Sequence, residues 1–248
     1  MLPKIWIFDT YSILLLIGVI ACLVLLYFYF KKRKLGEKYY YDIVFIGCLA
    51  IIIGLGSAVG FQTLFDYLKK DSTNPAFSMT FFGGLVGGVI SFILLFFLSI
   101  KKKYPEASLI NDIVVIAPAC IAIAHAFGRL GCFCAGCCHG VETDSIFGVT
   151  FPGMTHPVYP TQLFESTFLF VLSAILFIIA YKKDTPYTFC IYLAAYGVWR
   201  FCLEFLRGDD RGAFFLSLSP SQWFSIIAFT SSIGLGIFLY FWSKRVKA

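Results

Sequence analysis

Seven long runs of apolar residues, each closed by a short polar or basic stretch, set the pattern of this chain. They cover residues 11–30, 43–65, 77–100, 113–127, 165–181, 188–206 and 222–242. A hydrocarbon core about 30 Å thick asks for roughly 20 mainly apolar residues per helix, and a single segment satisfies its own backbone there only as a helix. The pattern predicts an all-α polytopic membrane protein with about seven transmembrane helices, in one integral membrane domain over 1–248. The fourth run is short and carries Pro118, which predicts a tilted or broken span. Pro160 and Pro220 stand where the fifth and seventh helices can open, because proline suits a first helical turn. Between about 128 and 160 lies the longest hydrophilic excursion, read as turns and a short strand.

Composition agrees: 59% of the 248 residues are hydrophobic and 14% charged, too few charges for a soluble surface. The first run is read as a retained span, since it lacks a small-residue cleavage site and is stopped at once by Lys31, Lys32, Arg33 and Lys34. Those residues, Lys38, Lys101 to Lys103, Lys182, Lys183, Lys244, Arg245 and Lys247 all fall on one side of a seven-span chain. By the positive-inside rule that side is cytoplasmic, with the N-terminus outside and the C-terminus inside. These clusters are topogenic, and no basic patch with interleaved stacking aromatics points to nucleic acid. Among the other charges, Arg129, Arg200, Glu204, Arg207, Asp209, Asp210 and Arg211 map with His156 to outer span halves or outer loops. The expected site therefore faces the extracytoplasmic side of a plasma membrane.

Three stretches carry chemistry. GRLGCFCAGCCHG, Gly128 to Gly140, crowds an arginine, four cysteines and a histidine into glycine-spaced backbone, read as chain leaving regular helix. In the sixth span Tyr196, Arg200, Glu204 and Arg207 are spaced to share one helical face. Ionisable groups at membrane depth are costly enough to mark function, and arginine forks bind a phosphate diester bidentately. Opening the fifth span, Gln162 and Glu165 share a face; they either close a helix end or serve the site. Cys132, Cys134, Cys137 and Cys138 are read as packing or disulfide residues, as reactive thiols, or as metal ligands, with His125 or His139 completing the set in the last case. Gly83, Gly84, Gly87 and Gly88, with Gly54, Gly56 and Gly60, mark small-residue faces for close helix packing.

GRLG at Gly128 to Gly131 with Gly140, PTQLFE at Pro160 to Glu165, and the Tyr196, Arg200, Glu204, Arg207 series resemble, in order, the prolipoprotein diacylglyceryl transferase family. FFGGLVGG at Phe81 to Gly88 is a weaker echo. The resemblance implies transfer of the diacylglyceryl group of phosphatidylglycerol to the lipobox cysteine thiol of an exported prolipoprotein, with release of glycerol phosphate. The chain departs from the family at Phe82, where a histidine is usual, and at Cys132, Ala135 and Cys137, where asparagine, asparagine and glutamate are usual. A cysteine copies neither an amide's hydrogen bonding nor a carboxylate's charge.

On this basis the candidate catalytic residues are Arg129, Arg200, Glu204 and Tyr196, with Arg207, Gly131, Gly140, Gln162 and Glu165 as candidate substrate-binding residues. Cys132, Cys134, Cys137 and Cys138 are candidate reactive thiols, and Glu165, His139 and His156 are candidate bases. The partners are phosphatidylglycerol or a related phospholipid, the prolipoprotein and the membrane, with no nucleic acid; no cofactor or metal is assigned. Two other readings stay open: a lipid-dependent transferase with a different acceptor, and an outward-facing thiol redox or metal-handling membrane protein.

Overall fold

The computed structural model describes residues 4–5, 8–69, 81–208 and 218–247. Asp209, Asp210, Arg211, the Phe82 side chain and the start of the third expected span lie outside the described residues. Among the described residues, seven helices are long and apolar enough to cross a membrane. They are α1 (Thr10–Arg33), α2 (Glu37–Lys69), α3 (Phe81–Leu95), α4 (Ala117–Ala135), α5 (Thr161–Lys183), α6 (Tyr187–Leu203) and α7 (Pro220–Lys247). A π-helical turn, Phe96–Ile100, continues α3 into Lys101–Lys103. The all-α reading holds, and the protein is a multi-pass membrane protein. Leu16, Phe45, Ile52, Val171 and Phe241 each leave more than half of their surface uncovered, a liability in water and the ordinary condition against acyl chains.

The chain forms two compact units, Phe30–Leu109 on the one hand and Met1–Tyr29 with Ile110–Ala248 on the other. In the smaller unit α2 packs along α3 through their glycines. A Cβ on Gly54 would stand 2.9 Å from the Gly84 carbonyl oxygen, and one on Gly83 2.8 Å from Phe61 Cβ. Gly54, Gly83, Gly84, Gly87 and Gly88 thus form a helix seam, while Gly56 and Gly60, expected on the same face, meet no neighbour among the described residues.

In the larger unit α4 packs on α5 and α6 on α7. Asp9 opens α1 as an N-cap, its Oδ2 accepting from the Ser12 amide at 3.3 Å. Apolar burial drives little association within lipid, so close packing and polar bonds between helices matter more. Ser166 Oγ donates to the Ala126 carbonyl at 2.9 Å and Ser173 Oγ to that of Ala119 at 2.8 Å, both from α5 to α4. Gly197 brings α6 against α7, where a Cβ would meet the Ser225 carbonyl oxygen at 2.9 Å.

Two expectations are corrected. The fourth span runs over Ala117–Ala135, beyond the expected 113–127, and Pro118 opens it without breaking it, because a first-turn proline lacks only an N–H that has no helical partner. Consequently GRLG is helix, and the chain leaves the helix only at Gly136. There φ is +73°, and the Gly136 amide bonds the Phe133 carbonyl at 3.1 Å while that of Cys137 bonds Cys132 at 3.1 Å. That pairing is a Schellman end, which glycine adopts without a Cβ penalty. Gly131 serves packing instead of turning, since its Cβ would lie 2.7 Å from Tyr11 Cδ2 on α1.

The second correction concerns the sixth span. Tyr196 and Arg200 lie on α6, but the helix ends at Leu203, Glu204–Leu206 tightens into a 3-10 turn, and Arg207 is extended at φ −81°, ψ 140°. Arg207 thereby leaves the shared helical face and forms an antiparallel bridge with Gly140. Short bridges Glu142 to Val158 and Val149 to Val158 tie the 136–160 excursion together, the expected turns and strand-like pairing.

Candidate active site

Glu165 stands in the first turns of α5 with none of its surface exposed. A buried carboxylate is tolerable only when its charge is paired and its oxygens accept hydrogen bonds. Arg129, three turns into α4, brings Nε to 2.9 Å from Glu165 Oε2. From α6 the Tyr196 hydroxyl donates to Oε1 at 2.9 Å. Arg129 Nε also lies 3.2 Å from His125 Nε2, one helical turn back on α4. His125 packs edge-on against the Tyr196 ring at 5.4 Å, and Tyr192 stacks on Tyr196 at 5.8 Å. Three helices therefore meet at one carboxylate, and three of the expected residues, Arg129, Glu165 and Tyr196, come together there.

One turn beyond Tyr196, Arg200 begins a second group. Its Nη2 lies 2.6 Å from Glu204 Oε2 and 3.1 Å from Ser221 Oγ of α7. Ser219 Oγ donates to the other oxygen of Glu204 at 2.7 Å. With one face of the guanidinium occupied, Nη1 remains buried without a hydrogen-bond partner. Glu204, expected to orient the arginines, pairs with Arg200 among the described residues.

The third group is built on sulfur. The Sγ atoms of Cys132, Cys137 and Cys138 lie within 4.8 Å of one another, a spacing that could hold a metal ion. Cys132 rides on the last turn of α4, while Cys137 and Cys138 follow the Gly136 turn. Cys134 is outside this cluster, and all nine cysteines are free thiols. The pair is fixed from α5: Gln162 Nε2 donates to the Cys137 carbonyl, and Thr161 Oγ1 to that of Cys138 at 3.1 Å. Cys138 holds φ at +63°, a left-handed conformation uncommon outside glycine. Hydrogen bonding with Cys132, then with Arg207, together with the Arg207 charge, brings the Cys138 thiol down to about 5; burial and the Cys138 charge push Cys137 up.

Gly140 lets these strands of backbone close on each other. Its amide donates to the Tyr159 carbonyl at 2.8 Å, and a Cβ there would collide with the Leu206 carbonyl. His156 is exposed, and His139 instead packs on Phe151 with Nδ1 3.1 Å from the Gly140 carbonyl, so neither joins the carboxylate and guanidinium groups. Ser219 and Ser221 are site residues that sequence reading passed over, and His125, weighed there as a metal ligand, stands instead beside Arg129. His125 had one available signal, its four-residue spacing from Arg129, while the serines had none.

A sequence profile of the prolipoprotein diacylglyceryl transferase family matches residues 4–241. The chain is 34% identical to a phosphatidylglycerol–prolipoprotein diacylglyceryl transferase of Clostridium tetani, over 92% of this chain and 91% of that one. It is also 34% identical to the second such transferase of Clostridium perfringens, over 93% and 89%. A transferase of the same name from Dehalococcoides mccartyi is 30% identical over 96% and 91%.

The sulfur cluster makes a pH prediction. Because its pKa is lowered to about 5, Cys138 is thiolate above that pH and thiol below it, while Cys137, shifted upward, stays thiol through neutrality. In metal-free buffer, iodoacetamide should modify Cys138 at a rate that is level from pH 6.5 to 8 and falls toward pH 4.5, and Cys137 at a rate still rising at pH 8. Peptide-resolved mass spectrometry reads both rates. Equal, parallel pH profiles would show that the two thiols are not differentiated.

Proposed function

The chain belongs to the prolipoprotein diacylglyceryl transferase family, and from that premise we propose that it moves the diacylglyceryl group of phosphatidylglycerol onto the lipobox cysteine of an exported prolipoprotein. In the reaction the acceptor sulfur bonds the glycerol carbon that carries the phosphate ester, and the carbon–oxygen bond to phosphate breaks. Glycerol phosphate leaves with the electron pair, and the thiol loses its proton.

The observation that carries the mechanism is the unpartnered Nη1 of Arg200. A buried cationic N–H without an acceptor is costly, and a lipid phosphate supplies that acceptor. Arg129 is held on the neighbouring helix by Glu165 and adds a second guanidinium. As the ester bond breaks, charge gathers on the departing phosphate, so donors fixed beforehand bind the transition state more tightly than the diester. Tyr196 and Glu204 act as positioning residues, the first through Glu165 and the second through Arg200. Gln162, Arg207 and Gly140 shape the acceptor side, where the cysteine loop meets α5 and the chain after α6, and Gly131 lets α4 pack against Tyr11 of α1.

The basic clusters after α1 and α3, at the end of α5 and in α7 support an extracytoplasmic site and a cytoplasmic C-terminus. In intact cells, a membrane-impermeant thiol reagent should therefore label Asp144→Cys and spare Lys102→Cys, read peptide by peptide. The reverse pattern overturns the orientation.

The clamp itself is tested by lysine. A lysine keeps the charge but presents a compact ammonium where arginine presents a planar fork. Arg129→Lys and Arg200→Lys should each fold and insert, yet lose at least about a hundredfold in turnover, roughly 2.7 kcal/mol. Lys102→Ala, exposed on the far side of the chain's topology, should change turnover by less than about threefold on the same arithmetic. Parent-like turnover in the lysine variants would make these arginines structural and remove the clamp.

A further inference from the structure

The three sulfurs beside Arg207 are unlike the other cysteines of the chain. Cys22, Cys48, Cys120, Cys190 and Cys202 sit on spans, as small apolar residues do. Cys132, Cys137 and Cys138 instead converge within 4.8 Å, on backbone that is bent to bring them together. Three features do this: a Schellman end at Gly136, a non-glycine residue at φ +63°, and two α5 side chains holding the Cys137 and Cys138 carbonyls. Strain of that kind persists only where surrounding contacts over-determine it, and it concentrates at functional sites. Tetrahedral zinc with sulfur ligands at about 2.3 Å requires sulfurs roughly 3.8 Å apart, which small side-chain rotations reach from the observed spacing.

We infer that Cys132, Cys137 and Cys138 form a three-thiolate site for zinc, whose fourth position takes the acceptor cysteine thiol. The inference rests on the transferase reading for the identity of that fourth ligand. Three protein ligands and one open position are the arrangement of zinc sites that act on a bound molecule, while closed four-ligand sites are structural. Three thiolates around a dication leave one negative charge, and Arg207, in hydrogen-bond reach of Cys138, offsets it. A thiol that becomes the fourth ligand gives up its proton to solvent, because a coordinating thiol is deprotonated outright. Its sulfur then bonds the glycerol carbon, the carbon–oxygen bond to phosphate breaks, and the thioether leaves the metal. This chain thus replaces the amide and carboxylate usual at positions 132 and 137 with ligands that generate the thiolate directly.

The test uses the full-length protein purified in detergent with reductant and added zinc, then freed of excess metal. Zinc should remain at about one ion per chain and fall below about one tenth in Cys132→Ser, Cys137→Ser and Cys138→Ser, with Cys134→Ser unchanged. Cobalt should replace zinc and give the intense absorption of a tetrahedral thiolate site. That spectrum should shift on adding a lipobox peptide and stay unchanged with the same peptide carrying serine for cysteine. A serine variant that unfolds is identified by its own melting profile, and the cobalt spectrum of the parent then carries the test. Absence of stoichiometric metal from a parent protein that still transfers lipid overturns the zinc site and leaves the transferase reading standing. Bound cobalt that responds to the cysteine peptide, without any lipid transfer, supports the site and overturns the transferase reading.

Discussion

One carboxylate that water cannot reach holds the site together. Glu165 accepts from Tyr196 on α6 and pairs with Arg129 on α4 while standing on α5. An unpaired charge at that depth would cost several kcal/mol, so each of the three helices is committed to the position that supplies its part. Arg129 in turn can keep its guanidinium inside a lipid-facing bundle only because Glu165 neutralises it. The same logic repeats one turn along α6, where Arg200 is matched by Glu204 and by Ser221 of α7, and Glu204 in turn accepts from Ser219 just before α7. The proposed phosphate contact lies where the matching is incomplete, at Nη1 of Arg200, a buried guanidinium nitrogen without a hydrogen-bond partner among the described residues.

The sulfur loop depends on the same framework. Gln162 and Thr161 lie on the turn of α5 that leads into Glu165, and they hold the carbonyls of Cys137 and Cys138. Cys132 lies three residues beyond Arg129 on α4. The groups proposed to bind phosphate and the thiol cluster are therefore built on the same two helices, α4 and α5. In the proposed reaction, fixing donor and acceptor in this way would convert an encounter between lipid and protein into a positioned displacement, where effective molarity is largest.

Much of this was legible in sequence because membrane physics writes in long strokes. Runs of about 20 apolar residues have few structural outcomes in a bilayer, so the seven expected helices match the seven found among the described residues. Arg129, Arg200 and Glu204 stand out because ionisable groups are rare at that depth, whereas the position of Glu165 at a helix start left its role open. The extent of the fourth helix was misread, because Pro118 and the glycines of GRLG look like breakers in isolation. Their roles depend on neighbours: proline in a first turn, and Gly131 under the Tyr11 ring. The departure of Arg207 from the α6 face was equally hidden, since a spacing of three and four residues continues past a helix that stops. Which cysteines gather could not be read either, as it rests on a left-handed Cys138 and on hydrogen bonds from the next helix.

The central claim is that this arrangement moves a diacylglyceryl group from lipid phosphate to thiol. Its most direct test places the purified protein in vesicles of phosphatidylglycerol labelled separately in the acyl chains and in the glycerol phosphate head group, with a lipobox peptide present. The account predicts that acyl label appears on the peptide cysteine in amounts equal to the head-group label released as glycerol phosphate, and that neither moves without the peptide. Head-group release with no acyl label on the cysteine, or peptide modification in vesicles lacking phosphatidylglycerol, would contradict it.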